Sequence, residues 1–235
     1  MEKFMNLSKI IDFVIKEMTQ NKKHLTYHNK NHILDCLYRA NDIFENKLNN
    51  NLNQHQIHEI DLSNSKYKLI RDNYSTLKMP LHLFLAICFH DIYYDVGCDE
   101  NEKNSALNMY SYICENCQYI MYEYKEDLDI AYDMILASKH HNTELVNENK
   151  DIFALFFDID MSYFSLDSKE YFKVVKLIMK EYLSKYSKED YINGRIKFLE
   201  NFMNNTIFSH ELFSIYNSKA KENILSEITY LSKLK

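Results

Sequence analysis

The chain has 235 residues and a net charge of −6, with only two glycines and one proline. So few of these residues exclude glycine-rich phosphate loops and hairpin-rich β-sandwiches. The mildly acidic balance argues against a nucleic-acid polymer as partner. No stretch approaches the roughly 18 consecutive apolar residues of a membrane span, and the charged N-terminal segment is not typical of a signal peptide. The five cysteines are expected as free thiols in the cytoplasm.

Apolar residues recur at helical spacing along the first half of the chain. A first amphipathic helix is expected over residues 4–20 and a second over residues 29–48. Residues 49–78 are polar and rich in asparagine, which indicates a loop or a weakly formed insertion. Leu81–Phe89 is apolar on all sides and predicts a buried central helix, with Pro80 in its first turn.

The second half of the chain continues this pattern. Asp99 and Glu102 have the spacing of a capping box, at the start of a helix that extends to about Tyr119. Further helices are expected at 126–141, 150–164, 168–185, 188–205 and 217–234. Neither a sequence repeat nor a change of composition divides the chain. The sequence therefore predicts one all-α domain over residues 1–235, with the helices of 168–235 packed on its core.

Histidine and aspartate residues fall at the ends of these helices or inside apolar runs. His28 and His32 are four residues apart and share one helix face. His90 and Asp91 follow the buried central helix directly. A carboxylate at such a place is costly unless a positive charge meets it.

Two further groups have the same character. His140 and His141 end the helix expected over 126–141, and Asp158 and Asp160 lie inside an apolar run. A divalent cation would account for all these polar groups at once, because imidazole nitrogens and carboxylate oxygens are good ligands for Mn, Fe, Co, Ni or Zn. Such a cation would also lower the pKa of a bound water and polarise a phosphoryl oxygen.

The order His32, His90-Asp91, Asp160 resembles the HD superfamily of metal-dependent phosphohydrolases, which is named for this pattern on an all-α fold. More narrowly, the chain is similar to the family known as predicted metal-dependent HD-superfamily phosphohydrolases. The matching stretches cover most of residues 25–230 and are Tyr27-His28-Asn29, His32-Ile33, Phe89–Tyr94, Asn101-Glu102, Ser105-Ala106, Ser138-Lys139, His141, Asp158–Ser162, Glu181-Tyr182, Gly194-Arg195, Asn223 and Glu227. The family usually has threonine in place of Ser138 and leucine in place of Met161.

The resemblance implies an HD-type helical bundle around a buried metal site. It implies that His32, His90, Asp91 and Asp160 bind one divalent cation and leave positions open for water and a phosphate oxygen. Asp158 stays an alternative to Asp160, because two carboxylates two residues apart point to different faces of a helix.

Further side chains are expected around the metal. His28 and His141 would supply a second metal ion or hold a substrate phosphate. Glu102 or Asp95 would orient or deprotonate the attacking water, with a simple helix cap as the alternative for Glu102.

Three more residues complete the expected site. Lys139 and Arg195 are candidates to neutralise phosphate charge, with solvated surface charges as the alternative. Tyr93 would line the pocket or simply pack against its neighbours.

The expected function is hydrolysis of a small phosphate ester, a nucleotide or a related phosphomonoester, by a metal-activated water. One metal ion is favoured, whereas two ions would suit a diester such as a cyclic nucleotide. The alternatives are a non-catalytic helical module that binds a ligand and a structural metal that holds the bundle together. The expected partners are the phosphorylated substrate and, through the aromatic C-terminal helices, a second copy of the chain.

Overall fold

The computed structural model describes residues 7–44, 79–141, 149–204 and 206–235. These residues form eleven α-helices and no strand, so the prediction of an all-α fold is confirmed. The helices are α1 (Leu7–Asn21), α2 (Lys30–Phe44), α3 (Leu81–Phe89), α4 (Asn101–Asn116), α5 (Gln118–Glu123), α6 (Lys125–Ala137), α7 (Lys150–Asp160), α8 (Ser168–Tyr182), α9 (Lys188–Asn204), α10 (Glu211–Ser214) and α11 (Asn217–Ser232). The insertion expected at 49–78 lies outside the described residues.

Helix α3 is the centre of the bundle, as its sequence predicted. Every residue from Leu83 to Phe89 is buried. The helix packs against α1, α2, α4, α6 and α7, which explains why none of its faces is polar. Its C-terminal end therefore delivers the next residues of the chain to the interior of the protein.

The surrounding helices bury one face each. In α1 the buried residues include Ile10, Ile11, Val14 and Met18, at the three- and four-residue steps of an amphipathic helix. Full burial of such a side chain contributes about 1.5–3 kcal/mol, so each helix is held mainly by its apolar stripe. Most of the buried apolar side chains of the described residues, from Leu7 to Leu231, form one hydrophobic cluster.

Helices α8 and α11 pack on a short 3₁₀ helix, Met161–Ser165, that follows α7 directly. Asn223 of α11 donates to the carbonyl oxygens of Phe164 and Leu166, both at 2.8 Å. These bonds satisfy buried carbonyl groups and join the C-terminal region to the segment that follows Asp160.

Several predicted boundaries were wrong. The helix expected from Asp99 to Tyr119 breaks at Cys117, whose backbone is not helical (φ −138°, ψ 47°). Its N-cap is Glu100 without a side-chain hydrogen bond, so the expected capping box is absent there. Helix α10 was missed because four residues are too few to display a helical period.

The five cysteines are free thiols, as expected. None of the described helices combines the length and the apolar character that a membrane crossing requires.

Candidate metal centre

Four predicted ligands converge from different parts of the chain. His32 lies on α2, His90 and Asp91 follow α3, and Asp160 is the last residue of α7. The Nε2 atoms of His32 and His90 are 3.2 Å apart. Oδ1 of Asp160 lies 3.0 Å from Nε2 of His32 and 3.5 Å from Nε2 of His90. Oδ2 of Asp91 lies 3.5 Å and 3.3 Å from the same two nitrogens.

The end of α3 orients the imidazole of His90. Its Nδ1 atom lies 3.0 Å from the carbonyl oxygen of Ile87. Because a carbonyl oxygen only accepts hydrogen bonds, Nδ1 carries the proton of the neutral ring. In that neutral form the lone pair on Nε2 points to the other three side chains, which is the arrangement that metal-ligating histidines use.

The two carboxylates of the cluster stay ionised. Burial would raise the pKa of Asp91, but the imidazoles of His90, His28 and His32 lower it to about 2. Burial opposes ionisation of Asp160 too, yet His90, His141 and His32 hold its pKa well below its ordinary value. Burial opposes protonation of His32 and His90, yet Cys36 and Asp160 beside His32, and Asp91 and Asp160 beside His90, hold the pKa of both imidazoles well above the ordinary value. Protons on these rings balance the two carboxylates unless a divalent cation displaces them. The donor set therefore fits a transition-metal ion.

Asp158, the alternative to Asp160, has different neighbours. Its carboxylate accepts hydrogen bonds from the backbone N–H groups of Ser209 (3.2 Å) and His210 (2.7 Å). Burial raises the pKa of Asp158 to about 7, although these two hydrogen bonds act in the opposite direction. It thus attaches the segment before α10 to α7, and Asp160 alone reaches the histidine cluster.

His141 approaches Asp160 from the other side. The helix expected over 126–141 ends at Ala137, and His141 has a left-handed backbone conformation with φ 45°. This turn brings its Nε2 atom to 2.9 Å from Oδ2 of Asp160. The two oxygens of Asp160 therefore serve different partners.

His28 has a buried partner that sequence reasoning did not assign to the site. Its Nδ1 atom hydrogen bonds to Oε1 of Glu181, and its ring stacks on Tyr94 with centroids 3.8 Å apart. Oε2 of Glu181 accepts from the backbone N–H groups of Tyr27 (2.9 Å) and His28 (3.2 Å). The sequence position of Glu181 could have indicated its burial, because it follows Ile178 by three residues on the buried face of α8.

A cavity of about 560 Å³ opens onto the cluster. It is lined by His28, His90, Asp91, Glu102, Ser138, Lys139, His141, Met161, Asp160, Ile178, Asp190, Gly194, Arg195 and seven aromatic rings. This volume is in the range that accommodates a small-molecule ligand.

The remaining predicted site residues divide into two groups. The side chain of Glu102 lines the cavity and has no hydrogen bond or ion pair to any described residue. Lys139 also lines it, and its ammonium donates to the backbone carbonyl of Asp99 at 2.6 Å. Arg195 lines it as well, but its charge is already paired with Glu227, 2.9 Å away.

Tyr93 and Asp95 do not line the cavity. Tyr93 is exposed, and the ammonium of Lys22 lies 5.0 Å from the centre of its ring. Asp95 is exposed too and forms an ion pair with Lys185 at 3.3 Å. The structure thus places Glu102, rather than Asp95, in the lining of the cavity.

Comparison of the chain with protein-family models, with curated proteins and with solved structures finds no match in any of the three.

Proposed function

We propose that the protein is an HD-type metal-dependent phosphohydrolase that cleaves a small phosphate monoester. The observation that supports this function is the convergence of His32, His90, Asp91 and Asp160, with nitrogen–nitrogen and nitrogen–oxygen distances of 3.0–3.5 Å. The order of these residues along the chain is also the order of the HD pattern. A cavity large enough for a phosphate ester is lined by His90, Asp91 and Asp160 of this cluster.

A divalent cation held by these residues would supply an acidified water and offset negative charge on a phosphoryl oxygen. The side chains of the protein then have separable tasks. Glu102, which has no partner among the described residues, accepts a proton from the attacking water. Lys139 lines the cavity and stabilises the charge that develops on the phosphate oxygens, whereas Nε2 of His141 is bound to Asp160 and holds that carboxylate in place.

His28 has a fixed orientation in this scheme. Its Nδ1 atom is bound to Glu181, so Nε2 is the nitrogen left for the cavity. We assign it to binding of a phosphate oxygen. Glu181 is a positioning residue, because it acts through His28 and does not line the cavity.

The test is turnover by purified protein of a mixed panel of phosphate monoesters and diesters with Mn²⁺ or Co²⁺, followed by mass spectrometry. Asp91→Ala should lose turnover, because a cluster residue is gone. Asp129→Asn is the matched control, since Asp129 is an exposed surface residue paired with Lys125. Equal turnover by Asp91→Ala and wild type would refute the proposal.

One observation favours a dinuclear phosphodiesterase as the second candidate. Asp160 directs Oδ1 to His32 and Oδ2 to His141, as a carboxylate that bridges two cations would. This candidate requires two bound ions per chain and preference for a diester. His141→Ala would then reduce the metal content from two equivalents to one.

A further inference from the structure

We propose that the cavity selects a phosphate monoester whose alcohol carries a planar apolar ring. This inference rests on the proposed function, because the phosphate group is placed at the histidine–aspartate cluster. It concerns the aromatic lining of the cavity, to which the hydrolysis scheme assigns no role.

The walls of the cavity are aromatic. Seven rings line it, together with Met161 and Ile178: Tyr27, Tyr94, Tyr163, Tyr182, Tyr186, Tyr191 and Phe198. These rings, with Met161 and Ile178, supply the apolar surface of the cavity. An apolar planar group is the ligand that such walls stabilise by burial and stacking.

Two of these rings are only partly covered by the protein. Tyr186 and Phe198 each keep 39% of their surface exposed although they line the cavity. Tyr182 lies nearly parallel to Tyr186, with centroids 6.3 Å apart and planes at 21°, and its hydroxyl is 3.0 Å from that of Tyr94. Tyr182 thus packs beside Tyr186, and Tyr186 and Phe198 keep aromatic surface that a ligand could contact.

Glycine at position 97 leaves room for the end of the Tyr186 side chain. A Cβ atom added to Gly97 would lie 2.1 Å from the hydroxyl oxygen of Tyr186, and the φ of +75° is itself a conformation that favours glycine. The loop that follows the His90-Asp91 pair and the segment after α8 therefore meet at this contact. A side chain at residue 97 would force the end of the Tyr186 side chain to shift.

The charges around the cavity limit the ligand to one phosphate. Arg195 is neutralised by Glu227 and also donates to the hydroxyl of Tyr163 at 3.3 Å. Among the described lining residues, Lys139 is then the one lysine or arginine without a carboxylate partner. Glu102 and Asp190 add negative charge to the same walls, so further phosphate groups would meet repulsion.

The experiment compares two phosphonates of equal charge that cannot be hydrolysed, 2-phenylethylphosphonate and butylphosphonate, by calorimetric titration at saturating Mn²⁺. We expect the aromatic ligand to bind about tenfold more tightly, since ring burial and stacking add to the shared phosphonate contacts. Tyr186→Ala should reduce this preference to about twofold or less. Tyr122→Ala, which removes a ring that is 81% exposed and outside the cavity, should leave it unchanged.

Hydrolysis of 2-phenylethyl phosphate and butyl phosphate, whose leaving groups are chemically similar, separates this inference from the proposed function. Turnover of both esters without preference, with equal phosphonate binding, would overturn the inference and leave the phosphohydrolase intact. An aromatic preference in binding without turnover of any ester would support the ligand class and refute the hydrolase. Absence of phosphonate binding would overturn the inference whatever the turnover.

Discussion

The Nε2 atoms of His32 and His90 lie 3.2 Å apart inside the protein, where each ring is buried. The bond between Nδ1 of His90 and the carbonyl of Ile87 places the ring proton away from His32. Two inward-facing nitrogens beside two carboxylates need a positive charge among them. A bound cation or a shared proton would provide it, and the two cases differ in measurable ways.

Replacement of Asp160 by asparagine should weaken binding of Mn²⁺ by more than about 100-fold, because it removes a carboxylate that we propose as a metal ligand. The control is Asp158→Asn, the same change two residues away, where the side chain accepts from backbone N–H groups instead. Calorimetric titration of both variants with Mn²⁺ measures the effect. Equal affinities for the two variants would contradict the assignment of Asp160.

Removal of metal should leave the helices in place. The described residues share one large apolar cluster that does not depend on the cation. Far-ultraviolet circular dichroism should therefore be nearly unchanged by EDTA. Addition of Mn²⁺ at 100 times its dissociation constant should stabilise the fold by about 2.7 kcal/mol and raise Tm by roughly 5–10 °C. Loss of helicity on chelation would favour a structural metal instead.

Glu181→Gln should lower both turnover and stability without loss of metal. Burial opposes ionisation of Glu181, but hydrogen bonds from His28 and from two backbone amides hold its pKa below the ordinary value of 4.5. Its ionised form is thus the one that stabilises the fold, by about 2 kcal/mol at neutral pH. That contribution is complete above the ordinary pKa and is lost as pH falls through the lower folded-state value.

Urea unfolding of wild type and Glu181→Gln between pH 7 and pH 3 checks this sign. The difference in the free energy of unfolding between wild type and Glu181→Gln should be largest at neutral pH and should disappear in acid. Glu200→Gln is the control because Glu200 is an exposed residue of α9. A difference in unfolding free energy that grows as pH falls would show that the interactions of Glu181 do not favour its ionised form.

Arg195→Met should destabilise the protein by about 3–5 kcal/mol, because Glu227 would keep a buried charge without its partner. Glu227 also accepts a hydrogen bond from Tyr171, so it cannot turn to solvent. The double variant Arg195→Met/Glu227→Met should recover part of the loss. Chemical denaturation measures the free energy of unfolding of both variants. A negligible loss of stability in Arg195→Met would indicate that Arg195 is free to bind phosphate.

The two glycines of the chain should respond to alanine in opposite ways. Gly97→Ala should cost at least about 1–2 kcal/mol, because alanine resists a φ of +75° and its Cβ meets Tyr186. Gly194 lies within α9 with open space around its Cβ position, so Gly194→Ala should stabilise by about 0.5–1 kcal/mol. Thermal denaturation of the two variants measures these effects. Equal changes in Tm for Gly97→Ala and Gly194→Ala would argue against the contact between Gly97 and Tyr186.

Much of the fold was accessible from local patterns. The apolar run of α3 predicted a central helix because no face of it tolerates water, and the stripe of α1 predicted one buried face. The position of His90 and Asp91 directly after α3 likewise predicted a polar pair in the interior. Helical period and adjacency in sequence are short-range properties, so the chain displays them without any knowledge of packing.

Only the tertiary structure decided which polar groups meet. Asp158 and Asp160 are residues of the same type and lie two positions apart. The carboxylate of Asp158 accepts hydrogen bonds from the backbone at Ser209 and His210, whereas the carboxylate of Asp160 lies beside the histidines. Glu181 reaches His28 across 153 residues of sequence. The sequence alone determined the helices and the ionisable residues that become buried. Long-range packing decided which of these residues meet, because the partner of a buried charge depends on distance in space and not on separation along the chain.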